Sequence, residues 1–237
     1  MNVLMLRFDA PLMSFGAVVV DQKNPIWRFP GAAMLTGLIA NAMGWDHRDT
    51  DCLQSLQERV RFAARWDSEP EPLTEYQTVD LGQPSMVHTG WTTRGKREDR
   101  KGGSAATGTH QRWRDHWANG VVTVALALDG EGTPSLDDLE TALTRPARPL
   151  FLGRKPCLPA SPIFIGRRSA DGVRDALSAE PLANIGVRKR PTRIEALWPL
   201  DEGAGISTEE RFDQRDWYNN IHRGARHYAV GLLEITA

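Results

Sequence analysis

The sequence predicts an α+β fold with a ferredoxin-like core, on three observations. Apolar patterns of strand and helix type follow one another in the order strand, helix, strand, strand with a long excursion, strand, helix, strand, which resembles a β-α-β-β-α-β unit with its middle opened out. A long basic and glycine-rich excursion, residues 76–117, causes that opening. After residue 166 the pattern loses its regularity, which predicts a C-terminal extension, 167–237, packed on a core made of 1–75 and 118–166.

Val3 to Phe8 is a compact apolar run closed by Asp9, Ala10 and Pro11, the mark of a first and central strand. The loop Leu12 to Gly16 sets a hydroxyl and an aromatic ring beside a glycine, so Phe15 suits either a packed position or a base-stacking loop formed with Ser14 and Gly16. Pro30 then opens a helix rich in Gly, Ala and Leu that stops at Gly44. The free N–H groups and positive dipole end at its start predict a phosphate seat, with Arg28 just outside. Asp51 to Glu58 reads as a second short helix. Val60 to Trp66 alternates, with Phe62, Ala64 and Trp66 on one face and Arg61, Ala63 and Arg65 on a basic outer face. Val121 to Leu128 is a strongly apolar strand. Ser135 is a natural N-cap for a helix from Leu136 to Leu143.

The excursion concentrates charge. Thr89 to Arg114 holds Arg94, Lys96, Arg97, Arg100, Lys101, Arg112 and Arg114 against Glu98 and Asp99, seven cations less two anions or +5, in a chain of net charge −1. His88 and His110 lie in the same stretch, and Trp91 and Trp113 flank Gly102 to Gly108. Cations interleaved with aromatic rings suit a single-stranded nucleic acid held by its phosphates and stacked by side chains, while a plain surface loop is the other reading. A near-neutral total places any such function in where the charges lie rather than in their sum.

A second cationic element follows. Leu150 to Leu152 reads as a short strand that breaks at Gly153, presents Arg154 and Lys155, and is stopped by Pro156 before a further apolar run at Ile163 to Ile165. Both cations are expected to be exposed on a stiff turn. Such a turn suits a polyanion or is simply solvated.

Composition excludes several classes. With 237 residues and 41% hydrophobic content the chain is long enough to bury a substantial core. Cys52 and Cys157 are too few for a disulfide framework or a four-cysteine zinc site, which favours a reducing compartment. His110 with His116, and His222 with His227, lack partners at zinc-site spacing, so no metal is expected. Phosphate-loop and dinucleotide fingerprints are missing, so no cofactor is expected either. Arg7 and Asp9 come too early for a secretory segment and no apolar run approaches a membrane span, which predicts a soluble, cytoplasmic protein with no membrane partner.

The Ser14-Phe15-Gly16 loop, the Arg28-Phe29-Pro30 lead into the small-residue helix, the Leu152-Gly153-Arg154-Lys155 turn and the late Arg211-Phe212-Asp213-Gln214-Arg215-Asp216-Trp217-Tyr218 block occur in the order found in one family. The chain resembles the CasD family of type I-E CRISPR Cascade subunits, family five of the RAMP superfamily, over nearly its whole length. The resemblance implies an RRM-like core with a protruding thumb at 76–117 and a grip on the 5′ handle of CRISPR RNA. It further implies a place beside CasC backbone subunits and the large CasA subunit, contact with target DNA only through the complex, and no nuclease activity. The expected RNA-binding set is Ser14, Phe15, Gly16, Arg28, His88, Arg94, Lys96, Arg97, Arg100, Lys101, His110, Arg112, Arg114, Gly153, Arg154 and Lys155. Where family members carry a basic or hydroxyl residue at the start of the first helix, this chain has Gly31-Ala32-Ala33. A metal-independent endoribonuclease using His88, His110 and Lys101 is the alternative.

Overall fold

The computed structural model of the chain describes residues 1–19, 21–80, 90–91, 97–98, 109–184 and 191–235. In chain order the elements are β1 (Asn2–Asp9), β2 (Leu12–Met13), β3 (Lys23–Asn24), α1 (Ala32–Ala42), α2 (Thr50–Arg59), β4 (Val60–Ser68), β5 (Glu71–Asp80), β6 (Gly90–Trp91), β7 (Arg97–Glu98), β8 (Thr109–Ala118), β9 (Val121–Leu128), α3 (Leu136–Thr144), β10 (Phe164–Ser169), α4 (Val173–Ala179), β11 (Arg193–Pro199), β12 (Ser207–Arg211), β13 (Arg215–Asp216), β14 (Ile221–His222) and β15 (Arg226–Glu234).

Seven strands form one antiparallel sheet in the order β10-β1-β9-β4-β11-β15-β12. Strand alternation sorts their side chains onto two faces. Leu4, Leu6, Phe8, Phe62, Ala64, Trp66, Val122, Val124 and Leu126 pack with α1 and α3. Val3, Met5, Ala63, Ala125, Ala127, Ala196 and Trp198 pack with Val173, Ala176 and Leu177 of α4. Helix α3 starts where the sequence places it: the Ser135 hydroxyl accepts from the Asp138 N–H, and the Asp138 carboxylate accepts from the Ser135 N–H.

Three expectations need correction. The outer face of β4 is not solvated, because α4 covers it. Arg65 is completely buried and donates to Asp67 Oδ1 at 2.7 Å and to the carbonyls of Leu177 and Glu180, while Arg61 pairs with Asp201 and Glu202. Burial of a guanidinium is tolerated here because its donors meet a carboxylate and two carbonyls. Residues 167–237 do more than pack on a finished core: α4 supplies the second face and β11, β15 and β12 continue the sheet. The junction is narrow, since β11 meets β4 only at Ala196 opposite Arg65 and Leu197 opposite Ala64.

The third correction concerns Leu150 to Leu152, which is a buried loop rather than a strand. The Leu152 N–H donates to the Cys157 carbonyl and the Leu152 carbonyl accepts from the Ser14 N–H, so the segment is tied to another loop and not to a ladder.

Strand β8 is the centre of a smaller sheet. It pairs with β5 along one edge, from Glu71 opposite Ala118 to Asp80 opposite Thr109, and with β2 and β3 along the other. The β5–β8 ribbon begins at Glu71, earlier than the start expected at residue 76, and β5 is exposed along most of its length.

Candidate nucleic-acid interface

The two-residue period of β8 places His110, Arg112, Arg114 and His116 on one face of the ribbon. Their cross-strand partners Val79, Gln77, Glu75 and Leu73 share it. At the root of the ribbon this face meets the 150–157 loop. Gly153 has φ +102°, and a Cβ there would lie 1.8 Å from the Ser14 carbonyl oxygen, so only glycine allows the loop to lie flat against the Ser14 backbone. That approach carries Arg154 onto β8. Its Nη1 donates to the Asp115 carbonyl at 2.8 Å and lies 3.3 Å from His116 Nε2, and its Nη2 donates to the Asn24 carbonyl. Lys155, next in the chain, is exposed.

The His116 tautomer follows from its partners. Nδ1 lies 3.1 Å from the Arg114 carbonyl, an acceptor, so Nδ1 carries the hydrogen and the bare Nε2 accepts from Arg154. Burial, reinforced by the Arg154 charge, holds the imidazole below its ordinary pKa. Burial and the neighbouring Arg114 also lower Arg154. The sign for stability is direct: below the ordinary histidine value the unfolded chain takes up a proton that the folded chain refuses. Stability is therefore expected to fall as pH drops from about 6.5 toward the depressed folded value. Thermal unfolding of the parent and of His116→Gln between pH 7.5 and 5.5 checks this, and the variant should show a flatter profile over that window. An unchanged profile would remove His116 from the account.

The structure gathers His110, Arg112 and Arg114 along one face with Arg154 at its root, and exposes Lys155 next to Arg154 in the chain. Glu75, opposite Arg114, and Glu71, opposite Ala118, are the acidic residues of β5 that share the face. Arg112 also braces the root by donating to the Asp21 carbonyl.

Other expected site residues stand elsewhere. Phe15 is core, its ring 6.4 Å from Phe8 and 6.0 Å from Trp66, so it is not available to stack on a ligand. Ser14 is buried, and only Gly16 of that trio is exposed. Arg28 is not a free phosphate ligand: its guanidinium lies 5.2 Å from the Trp66 ring centre and 5.3 Å from that of Trp117, and it pairs with Glu69 and Glu195. Arg154, expected to be exposed, is half-buried with three acceptors. His88, Arg94, Lys96, Arg100 and Lys101 lie outside the described residues. Arg97 falls in β7.

The phosphate seat expected at α1 is occupied by the chain itself. Asp213 Oδ2 accepts from the Ala32 N–H at 2.8 Å, and the Asp213 carbonyl accepts from the Ala33 N–H. Burial pushes the Asp213 carboxyl above its usual range, against the pull of the Ala32 N–H and Arg211. The long sequence separation hides this cap, although the Arg-Phe-Asp block itself is conspicuous. Asn24, whose carbonyl receives Arg154, and Lys23 beside it carry no local pattern that would single them out. Among the described residues no cluster of three His, Cys, Asp or Glu is arranged to hold a metal ion, and no helix is long and apolar enough to cross a membrane.

Comparison with known proteins gives a consistent result. The family CRISPR-associated protein (Cas_Cas5) matches residues 3–229. The CRISPR system Cascade subunit CasD of Escherichia coli (strain K12) is 30% identical over 219 residues, covering 92% of this chain and 95% of that protein. A chain of a solved CRISPR RNA-guided surveillance complex superposes with a TM-score of 0.68 at 23% identity, covering 98% of this chain and 90% of its own. A Cas protein crystal structure does so at 0.61 and 22%, covering 98% and 95%. At those identities the two structures speak for the fold.

Proposed function

Because the chain belongs to the CRISPR-associated Cas5 family, we propose that it is a CRISPR RNA-binding subunit of a Cascade surveillance complex, holding the 5′ handle of the RNA without cutting it. The cationic row Arg112, Arg114, Arg154 and Lys155, with His110 beyond its outer end, is the observation that carries this reading. It runs along a ribbon and ends on a braced loop, a shape that follows a strand's phosphates. The β5–β8 ribbon serves as the base of the thumb, inserted in a ferredoxin-like core. The order β10-β1-β9-β4 with α1 and α3 on one face supports that core, as it is the order in which a β-α-β-β-α-β unit pairs. In the complex the subunit sits in the cytoplasm beside CasC and CasA and meets target DNA through them.

The non-catalytic assignment has a local argument. General acid/base work on a ribose hydroxyl needs an imidazole free to take or give a proton. His116 has both ring nitrogens engaged, with Nε2 facing the Arg154 guanidinium. The imidazole of His110 is exposed and free, but its cross-strand partner is the apolar Val79, so the strand register sets no second acid or base opposite it.

The test is equilibrium binding of the full-length protein to repeat-handle RNA across a salt series. Arg114→Glu with Lys155→Glu is expected to weaken binding at least about tenfold near physiological salt and to reduce the salt slope by roughly 0.7 for each phosphate no longer neutralised. Unchanged affinity and slope would dismiss the row as the RNA-binding surface. Arg154 is left alone in this experiment because its hydrogen bonds hold the loop.

A further inference from the structure

We infer that the face of the ribbon opposite the cationic row is a stacking platform for one unpaired ribonucleotide, built from Tyr76, Trp113 and Lys23. The inference rests on the RNA-binding reading above and adds a second, distinct point of attachment to it.

Tyr76 and Trp113 are directly opposite in the β5–β8 register, and alternation turns both away from Arg112 and Arg114. Their ring centres are 5.1 Å apart with planes inclined at 36°. Tyr76 remains 53% exposed despite packing against its neighbour's ring. On the other edge of β8, Lys23 is in parallel register with Trp113, which brings its Cβ to the same face, and Lys23 is exposed. Neighbouring strands are about 4.8 Å apart, so the ammonium reaches the phosphate of a nucleotide whose base lies on the rings.

The same face shows where the platform ends. Four residues further along β8, Trp117 donates from Nε1 to the Trp27 carbonyl and packs edge-on against Trp66, joining the core. Trp113 therefore lies roughly 13 Å along the strand from Trp117. Between the two, Thr74 donates to Asp115 Oδ1. Thr78 and Gln111 flank the rings on the far side. This polar setting favours a nucleobase over an apolar protein anchor, since an interface hot spot is ringed by groups that exclude water. A base needs only a flat π surface and a cation near its phosphate.

The experiment uses the full-length protein and two labelled probes of equal length, oligouridylate and an abasic ribose-phosphate strand, read by fluorescence anisotropy. Tyr76→Ala with Trp113→Ala is expected to weaken oligouridylate binding about tenfold or more and to leave the abasic strand unaffected. Tyr76→Phe with Trp113→Phe should restore most of the loss, which separates stacking from damage to the ribbon. Lys23→Gln should weaken both probes and reduce the salt slope by roughly 0.7. Wild-type affinity of the alanine pair for both probes overturns the platform and leaves the RNA-binding reading standing, as does an equal loss on both. Loss of a protein neighbour with RNA affinity unchanged assigns the face to protein and also overturns it. Failure of the wild-type protein to bind oligouridylate while it binds handle RNA overturns the platform alone, and failure on handle RNA as well refutes the RNA-binding reading with it.

Discussion

Asp67→Ala is expected to destabilise the protein by about 3–5 kcal/mol, because it leaves a buried guanidinium without its counter-charge. Asp67 accepts from three places at once: Arg65 Nε and the Thr123 hydroxyl, two groups of the sheet, and the Ala183 N–H of the C-terminal segment. Neither Arg65 nor the Asp67 carboxylate has any exposed side-chain surface. Carbonyls of Leu177 and Glu180 would still take two Arg65 donors, but dipoles alone do not replace an anion in a dry site. The double change Arg65→Met with Asp67→Leu should cost less than the single one, since it removes the charge together with its partner. Urea unfolding of the three proteins decides it. A single variant within about 1 kcal/mol of the parent would mean that water reaches the pair.

Gly153→Val is expected to harm both stability and RNA binding. The side chain would have to occupy space held by the Ser14 carbonyl, a backbone atom that cannot swing aside, at a φ of +102° that valine avoids. Strain and overpacking each cost of order 1–3 kcal/mol. The loop is expected to relieve them by lifting away from β2 and β8, which takes Arg154 off Asp115 and His116 and moves Lys155 with it. Thermal unfolding and handle-RNA affinity should therefore both fall. Lys155→Glu, by contrast, should change affinity alone. If Gly153→Val kept full RNA affinity, the position of this loop would be irrelevant to the grip.

Much of the fold is legible in local signals. The first strand, the helix closed by Gly44, the alternating Val60 run and the Ser135 cap all rest on neighbours within a few residues, and these are what caps and periodicity report. Alternation misplaces Arg65 because it reports two faces without saying what covers the second, and the seven-residue helix that does so lies more than a hundred positions later. Leu150 to Leu152 looks like a strand because buried apolar residues suit either a ladder or a loop tied down by distant backbone, here that of Ser14. The candidate site divides along the same line. Arg112 and Arg114 are visible as a local excess of charge, and strand period then places them on one face. That Arg28 is claimed by Glu69 and Glu195, and the start of α1 by Asp213, depends on interactions between remote parts of the chain.

The narrow junction between β4 and β11 also bears on synthesis. Translation delivers β1, β4, β9 and β10 well before Arg193–Glu234, so the emerging polypeptide can complete four strands while one border of β4 still lacks its neighbour and Arg65 awaits the acceptors from α4 and the turn after it. An open strand border is an invitation to self-association. Expression conditions that slow elongation over the codons for Arg193–Glu234 should lower soluble yield for this reason.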